Sequence, residues 1–267
     1  PSSAASDVYK RQLEMLRICS VFLFLLISSG YDFRRREVSN GIWLVFAPSG
    51  LIFSILQFYF LRELHWIVLT CLSLLVVGGF SLSLFYLGFF GGADAKALIC
   101  LSLTLPVYPS CLSPYLNVVS PLFPLSVFSN AVLFSSMVVF GIMLYNLYRR
   151  FGVGENLFEG FDDPLWIKVL VFFVGFKIDA NKLNDSSHYI LLENVSRGKK
   201  GNLHRLKPIF RLDENPTQDV SCLDKFNGRV WVTPSLPFLI FITVGFIVAL
   251  FLGDILLWLV SKSINIL

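Results

Sequence analysis

Two aspartates in this sequence stand where charge is expensive. Asp32 directly follows an apolar stretch, in Tyr31-Asp32-Phe33-Arg34-Arg35-Arg36-Glu37-Val38-Ser39-Asn40, and Asp94 sits between two further apolar stretches, in Gly91-Gly92-Ala93-Asp94-Ala95-Lys96. An acid near lipid is costly and rare, which makes it a candidate functional group by default. Two acids at one membrane depth point to a particular chemistry. Carboxyls close enough to share a proton cannot both ionise, so one takes a proton from water while the other, still protonated, polarises a carbonyl. That is the chemistry of aspartyl hydrolysis. Gly91 and Gly92 suit it, because a residue without Cβ lets the backbone approach another helix or an extended substrate closely. Each acid also has a plainer reading: Asp32 as a topology residue paired with its arginines, and Asp94 as the N-cap of the helical run that follows it.

The other polar residues within apolar surroundings suggest less. Lys96 lies two positions from Asp94 and projects differently on a helix, which suits a membrane-face anchor or a group that steadies the loop. Asp254 falls in the last apolar stretch, towards its far end, and fits an interhelical hydrogen bond better than catalysis. His65, His188 and His204 are far apart without ligand spacing, so no metal is expected. Cys19, Cys71, Cys100, Cys111 and Cys222 are scattered and form neither a disulfide framework nor a C-x-x-C pair. No organic cofactor is expected either.

The elements that must position the aspartates are membrane helices. Of 267 residues, 55% are hydrophobic and 27 are Phe, and long stretches carry no charge at all. A water-soluble chain of this length would spread charge over its whole surface. Spans are expected at Met15–Tyr31, Ile42–Leu61, Trp66–Leu87, Ala97–Leu112, Phe123–Tyr148 and Pro237–Val260. A proline-punctuated connection (Pro106, Pro109, Pro114, Pro121, Pro124) follows the fourth. The leading dozen residues, PSSAASDVYKRQ, share no character with the rest and resemble a translated cloning adaptor, so residues 1–12 are set apart from the fold.

From 149 to 233 the character changes. This stretch holds more than half of the charged residues, turn signals at Asn202, Pro208, Asn215-Pro216 and Asn227-Gly228, and strand-like runs at Tyr189–Leu192 and Val230–Val232. Within it, Leu165–Phe176 is apolar but too short to span, and is expected to lie at the membrane surface or dock on the bundle. The fold class is therefore an all-α membrane bundle of six transmembrane helices, residues 13–148 and 234–267, with a small mixed α/β cytoplasmic insertion, residues 149–233, between helices five and six. Arg34 to Arg36, Lys96 and the basic residues from Arg149 to Arg229 fall on one side of that topology, with Arg62 and Lys262 on the other. The positive-inside bias makes the side holding Asp32, Asp94 and the insertion cytoplasmic. Net charge is only +4 and basic residues interleave with acidic ones, so no nucleic-acid partner is expected.

The pattern Asp32-x-x-x-Arg36-x-Val38-x-Asn40, followed by Gly91-Gly92-Ala93-Asp94-Ala95-Lys96, resembles the Gly-x-Gly-Asp membrane aspartyl peptidases of the type IV prepilin peptidase and archaeal preflagellin peptidase group. The tail Val230-Trp231-Val232-Thr233-Pro234-Ser235-Leu236-Pro237-Phe238 resembles the archaeal preflagellin peptidases in particular. The resemblance implies that Asp32 and Asp94 are a catalytic pair supported by Gly91, Gly92, Lys96, Arg36 and Asn40. It implies membrane-anchored archaellin-type or pilin-type precursors with short basic leaders as partners, and an archaeal cell membrane as the location. Ala93 departs from the pattern, which has a second glycine there. The cysteine-bearing loop of bacterial prepilin peptidases is absent, so the N-methyltransferase activity that accompanies it is not expected.

Given such substrates, Glu155, Glu159, Asp162 and Asp163 form an acidic cluster able to hold a basic leader, or else a solvated acidic turn. Two alternatives remain open. Presenilin-like and signal-peptide-peptidase-like proteases also pair Tyr-Asp with Gly-x-Gly-Asp, although no Pro-Ala-Leu stands near the last span here. A proton- or ion-coupled transporter would use the same acids for binding, although no internal repeat accompanies them.

Overall fold

The computed structural model describes residues 3–61, 64–179, 189–198, 201–206 and 228–264. Arg62, His188, Pro208, Asn215-Pro216, Cys222 and Asn227 lie outside the described residues. The protein is mostly helical and divides into two compact units, Pro1–Ser135 with Pro237–Leu267, and Ser136–Leu236.

The first unit is built from apolar helices. They are α1 (Ser3–Arg35), α2 (Asn40–Leu61), α3 (Leu64–Ser73), α4 (Gly79–Tyr86), α5 (Gly92–Thr104), the first half of α6 (Phe123–Phe151), α8 (Phe238–Phe251) and α9 (Ile255–Ile264). A π-helical stretch, Leu74–Gly78, joins α3 to α4 without ending the rod. Among the described residues, four helices are long and apolar enough to cross a membrane: Val8–Arg35, Asn40–Tyr59, Leu64–Tyr86 and Phe123–Phe151. The pair Phe238–Phe251 and Ile255–Ile264, bent by 59°, makes a fifth if counted as one. Val21, Leu25, Phe46, Leu98, Leu101, Phe123, Ile242 and Phe246 form the centre of its core.

Small residues let the helices approach. A Cβ at Gly50 of α2 would lie 2.5 Å from Thr104 Oγ1 of α5, and one at Gly245 of α8 would lie 2.5 Å from the Val127 carbonyl of α6. In a bilayer, where lipid is as apolar as the helices themselves, such close contact replaces the hydrophobic drive for association.

Three helices end differently from the sequence expectation. The first helix begins well before Met15: α1 runs from Ser3 and includes most of the residues set apart as adaptor-like, and its apolar part able to cross a membrane starts at Val8. The fourth stops at Thr104 rather than Leu112: Pro106 pushes its predecessor out of the helical region, and Leu105 sits at φ −133°, ψ 73°. The last helix, expected to be continuous from Pro237 to Val260, breaks after Phe251 because Gly253 adopts φ 100° and a Cβ there would meet the Val118 carbonyl at 2.6 Å.

The second unit contains the end of α6, α7 (Leu165–Val174) and five strands, β1 (Phe176–Asp179), β2 (Tyr189–Leu191), β3 (Glu193–Gly198), β4 (Gly201–Leu206) and β5 (Arg229–Pro234). β5 is central to an antiparallel sheet of order β1-β5-β2, with Lys177 opposite Trp231 and Leu191 opposite Val232. β3 and β4 form a separate hairpin. Its core gathers Leu157, Phe161, Val171, Leu192, Leu206 and the fully buried Trp231, whose ring stacks on Phe158 at 4.9 Å. The strand-like runs anticipated at Tyr189–Leu192 and Val230–Val232 are β2 and the middle of β5.

Candidate active site

Asp32 lies in the last turn of α1. The helix terminates at Arg35 because Arg36 takes a left-handed conformation, φ 57°, while its N–H still donates to the Asp32 carbonyl at 3.0 Å. That turn is held against the start of α8. Ser29 Oγ donates to the Leu239 carbonyl at 2.9 Å and shares a 2.7 Å hydrogen bond with Thr243 Oγ1. One turn further along α1, the Asp32 carboxyl lies near the backbone N–H of Leu239 and faces the charge of Arg36. The opening amides of a helix have no partner within it, and they carry the positive end of its dipole. The α8 terminus is thus a natural seat for an acid.

Asp94 is the third residue of α5, and its Oδ2 accepts the N–H of Gly91 at 3.1 Å. The N-cap expectation is close to this arrangement but shifted: Asp94 sits inside the first turn and reaches back. A Cβ at Gly91 would stand 3.1 Å from Asp94 Oδ2. Gly91 has φ −70°, open to any residue, so what its missing side chain provides is room for the carboxylate. Gly92 is less constrained, with Phe85 Cε2 at 3.6 Å from a Cβ built on it. Ala93, where the family pattern has glycine, packs against the core.

The two carboxylates are close enough for their charges to act on one another. Both are half-buried. Two turns of helix, the end of α1 and the start of α5, therefore bring together acids that are about sixty residues apart in the sequence. Lys96 Nζ donates to Asn40 Oδ1 at 2.7 Å and ties α5 to the first residue of α2. Arg36, Asn40, Lys96, Gly91 and Asp94 thus all belong to one end of the helical unit. A like-charged pair in such a setting can hold one proton between its members, with one carboxylate free to accept a proton from water and one carboxylic acid free to donate.

The remaining polar candidates are engaged elsewhere. Asp254 caps α9, accepting Leu257 N–H at 2.9 Å and Ser129 Oγ–H at 2.7 Å, which is the interhelical hydrogen bonding expected of it. In the second unit, Glu155 accepts Arg149 Nε–H and Arg229 Nη1–H, each at 2.6 Å. The hydrogen bond from Arg149, opposed by some desolvation, holds its carboxyl below the usual range, and the charge of Arg229 adds to this. Asp163 Oδ2 accepts Leu206 N–H at 2.9 Å. Glu159 lies near Lys177, and Asp162 is exposed. Two members of the acidic cluster thus already brace the second unit.

Comparison with known proteins fits this geometry. Residues 19–144, which include both aspartates, match the model of the type IV leader peptidase family, and residues 167–255 match that of the archaeal peptidase A24 C-terminus type II. The preflagellin peptidase of Methanococcus voltae is 30% identical over 240 residues, covering 87% of this chain and 93% of that protein. The chain belongs to the type IV leader peptidase family. The preflagellin peptidases of Methanococcus maripaludis and Methanocaldococcus jannaschii are each 27% identical, over 87% and 86% of this chain and 93% and 91% of theirs.

Within this leader peptidase fold, sequence reasoning missed the contribution of α8. The Leu239 amide is a backbone group, and no side-chain pattern announces it. A signal was nevertheless present: Pro237, just before an apolar run, marks a helix start and hence a set of unpaired amides. Ser29 and Thr243, the hydroxyls that dock α1 on α8, are small polar residues beside apolar runs, of the kind that join membrane helices.

Proposed function

We propose that this chain is a membrane-boundary aspartyl endopeptidase, with Asp32 and Asp94 as its catalytic pair. It removes short basic leader peptides from archaellin-type or pilin-type precursors at the cytoplasmic face of the cell membrane. The observation that carries the reading is the placement of two half-buried carboxyls, at the end of α1 and the start of α5, near enough for the charge of one to act on the other. Water attacks the scissile carbonyl carbon as the ionised carboxylate takes its proton, while the protonated partner donates to the carbonyl oxygen. Collapse of the tetrahedral intermediate returns that proton and transfers another to the departing amine. Both carboxyls are restored.

Six crossings, with the acids and the insertion on the cytoplasmic side, remain the topology this reading needs. A length argument supports counting α5 as one of them. Ser110 Oγ and Cys111 N–H donate to Glu14, each at 2.8 Å, while Asp94 interacts with Asp32. Glu14 and Asp32 are about 27 Å apart along α1, close to the roughly 30 Å hydrocarbon thickness. Residues 94–111 therefore travel the same depth as α1, as a helix followed by an irregular segment. Irregular backbone at membrane depth is tolerated where protein covers it, and Tyr115 N–H and Leu116 N–H are taken up by the carbonyls of Phe251 and Leu252. An impermeant thiol reagent should label a cysteine at position 113 from outside intact cells and leave one at position 202 unlabelled.

The activity itself is tested by mixing membranes containing the protein with a tagged precursor bearing a Lys/Arg-Gly leader and sequencing the N-terminus of the product. Cleavage after the leader glycine supports the proposal. An uncut precursor, with the protein folded and inserted, would reject it and favour the transport reading of the same acids.

A further inference from the structure

Helix α7 is apolar on both sides. Ile167, Val171 and Val174 face the core of the second unit, with Val171 fully buried. On the opposite arc, Leu165, Trp166, Val169 and Phe173 are 80%, 57%, 55% and 42% exposed. Residues at these spacings share one face of a helix, and a contiguous apolar face of this size is not left to water without a partner.

The position of the helix says what the partner is. Asn146, fully buried in α6, donates through Nδ2 to the carbonyls of Phe172 at 2.8 Å and Gly175 at 2.6 Å. Phe172 is in the last turn of α7, and Gly175 follows it. Carbonyls at a helix end have no partner within the helix, and where water is scarce a side chain must supply one. Asn146 is about one turn short of Arg149 and Arg150, at the basic end of a helix that runs Phe123–Phe151 and is apolar enough to cross a membrane. Tyr148, Phe151 and Val153 are 66%, 79% and 57% exposed around that same end. Aromatic side chains mixed with arginines at a helix end are the signature of the bilayer interface. The tether therefore fixes the C-terminus of α7 at the depth where the α6 span leaves the hydrocarbon.

We infer that α7 is an in-plane membrane anchor, with Leu165, Trp166, Val169 and Phe173 sunk into the lipid interface beside the end of α6. A helix in this position typically reaches about 5–10 Å into the boundary between headgroups and acyl chains. The inference is independent of the proteolytic reading, since it uses neither aspartate. It narrows the function of the second unit, which is held to the lipid surface by a face of its own as well as by its two chain connections.

The test is depth measurement by spin labelling. Single cysteines at positions 169 and 173, and at the exposed Asp179 of β1 as a water-facing reference, are introduced into a cysteine-free full chain. After nitroxide labelling the protein is reconstituted into vesicles of phosphatidylcholine with phosphatidylglycerol. Collision with oxygen, which concentrates in the bilayer, is compared with collision with a water-soluble nickel chelate. Labels at 169 and 173 should favour oxygen, while 179 favours nickel. Nickel dominance at 169 and 173 would overturn the anchor, as would shielding from both colliders, which would mean that protein covers the face. In a second variant, Asn146→Leu, the tether is removed and the labels at 169 and 173 should move towards nickel. Unchanged depth in that variant would overturn the role given to Asn146.

Discussion

The two ends of the helical unit treat their acids in opposite ways. At the end where residues 105–122 run, Glu14 and Asp254 are 2% and 1% exposed, and each accepts two hydrogen bonds, Glu14 from Ser110 and Cys111 and Asp254 from Ser129 and Leu257. At the other end, Asp32 and Asp94 are only half-buried, Asp94 accepts a single backbone amide, and the two carboxyls are near enough to act on each other. A buried acid saturated with donors is a staple: its energy lies in bonds already made, and removing it leaves those donors unpaired. An acid facing another acid has something left to do. The comparison therefore separates acids whose hydrogen bonds hold the fold from acids that, on the proposed reading, act on a substrate, although three of the four sit in apolar helices and Asp254 caps one.

Substitutions at both ends can break or sharpen that contrast. The largest effect is expected at Asp32. Asp32→Asn keeps size and polarity but cannot accept a proton from water, so cleavage should fall by about 10³-fold or more, with the thermal midpoint near that of the parent. Asp254→Ala should do the reverse. Loss of the cap and of a partner for Ser129 should lower stability by about 2–4 kcal/mol, measured by thermal unfolding in detergent, while the folded fraction cleaves at the parental rate. If Asp254→Ala lost activity without losing stability, the division between the two ends would be wrong.

Gly91→Ala should have a smaller effect. The new methyl would crowd Asp94 Oδ2 at 3.1 Å, and a displaced catalytic group should lower kcat by about tenfold with KM little changed. The smallest effect belongs to Glu155. Its carboxyl is held below the ordinary range by the Arg149 hydrogen bond, with the Arg229 charge assisting. The stabilisation it gives the second unit is therefore fully present above the unfolded value of about 4.3, and is lost as pH falls through the lower folded value. These are partly exposed pairs, worth at most about 1 kcal/mol. The parent should exceed Glu155→Gln in thermal stability slightly at pH 7, and the two should converge in acid.

Part of this contrast was legible in the sequence, for a physical reason, although Glu14 carried no mark there. Asp32 and Asp94 are acids bordered by long uncharged stretches, and lipid makes such placement too costly to be incidental. The strands β2 and β5 were legible because Tyr, Ile, Val and Trp cluster between turn residues. What was not legible depends on backbone rather than on residue type. The Leu239 amide at Asp32 carries no side-chain mark. The break at Gly253 looked like the interior of an apolar helix, since Gly253 and Asp254 are only two residues and the carbonyl that crowds Gly253 comes from Val118, far away in the sequence. Pro106 is a helix-ending signal inside the span expected from Ala97 to Leu112, but composition alone did not say that the helix would stop at Thr104 and irregular backbone follow. Strand β1 was absorbed into the apolar run before it, because Phe176 continues the α7 composition while Gly175, with extended backbone, ends the helix.

The measurement that bears most directly on the central claim is leader cleavage by Asp94→Asn. The side-chain amide of that variant could still accept the Gly91 N–H through its oxygen, since Asn serves about as well as Asp at helix starts, so a purely capping Asp94 would leave cleavage near the parental rate. A member of a proton-sharing pair cannot be replaced by an amide, which lacks an exchangeable carboxylic proton at the scissile bond. With protein level, membrane insertion and thermal midpoint matched to the parent, the account predicts loss of cleavage by about 10³-fold or more. Activity within a few-fold of the parent would assign Asp94 to the helix cap and contradict the paired-aspartate mechanism.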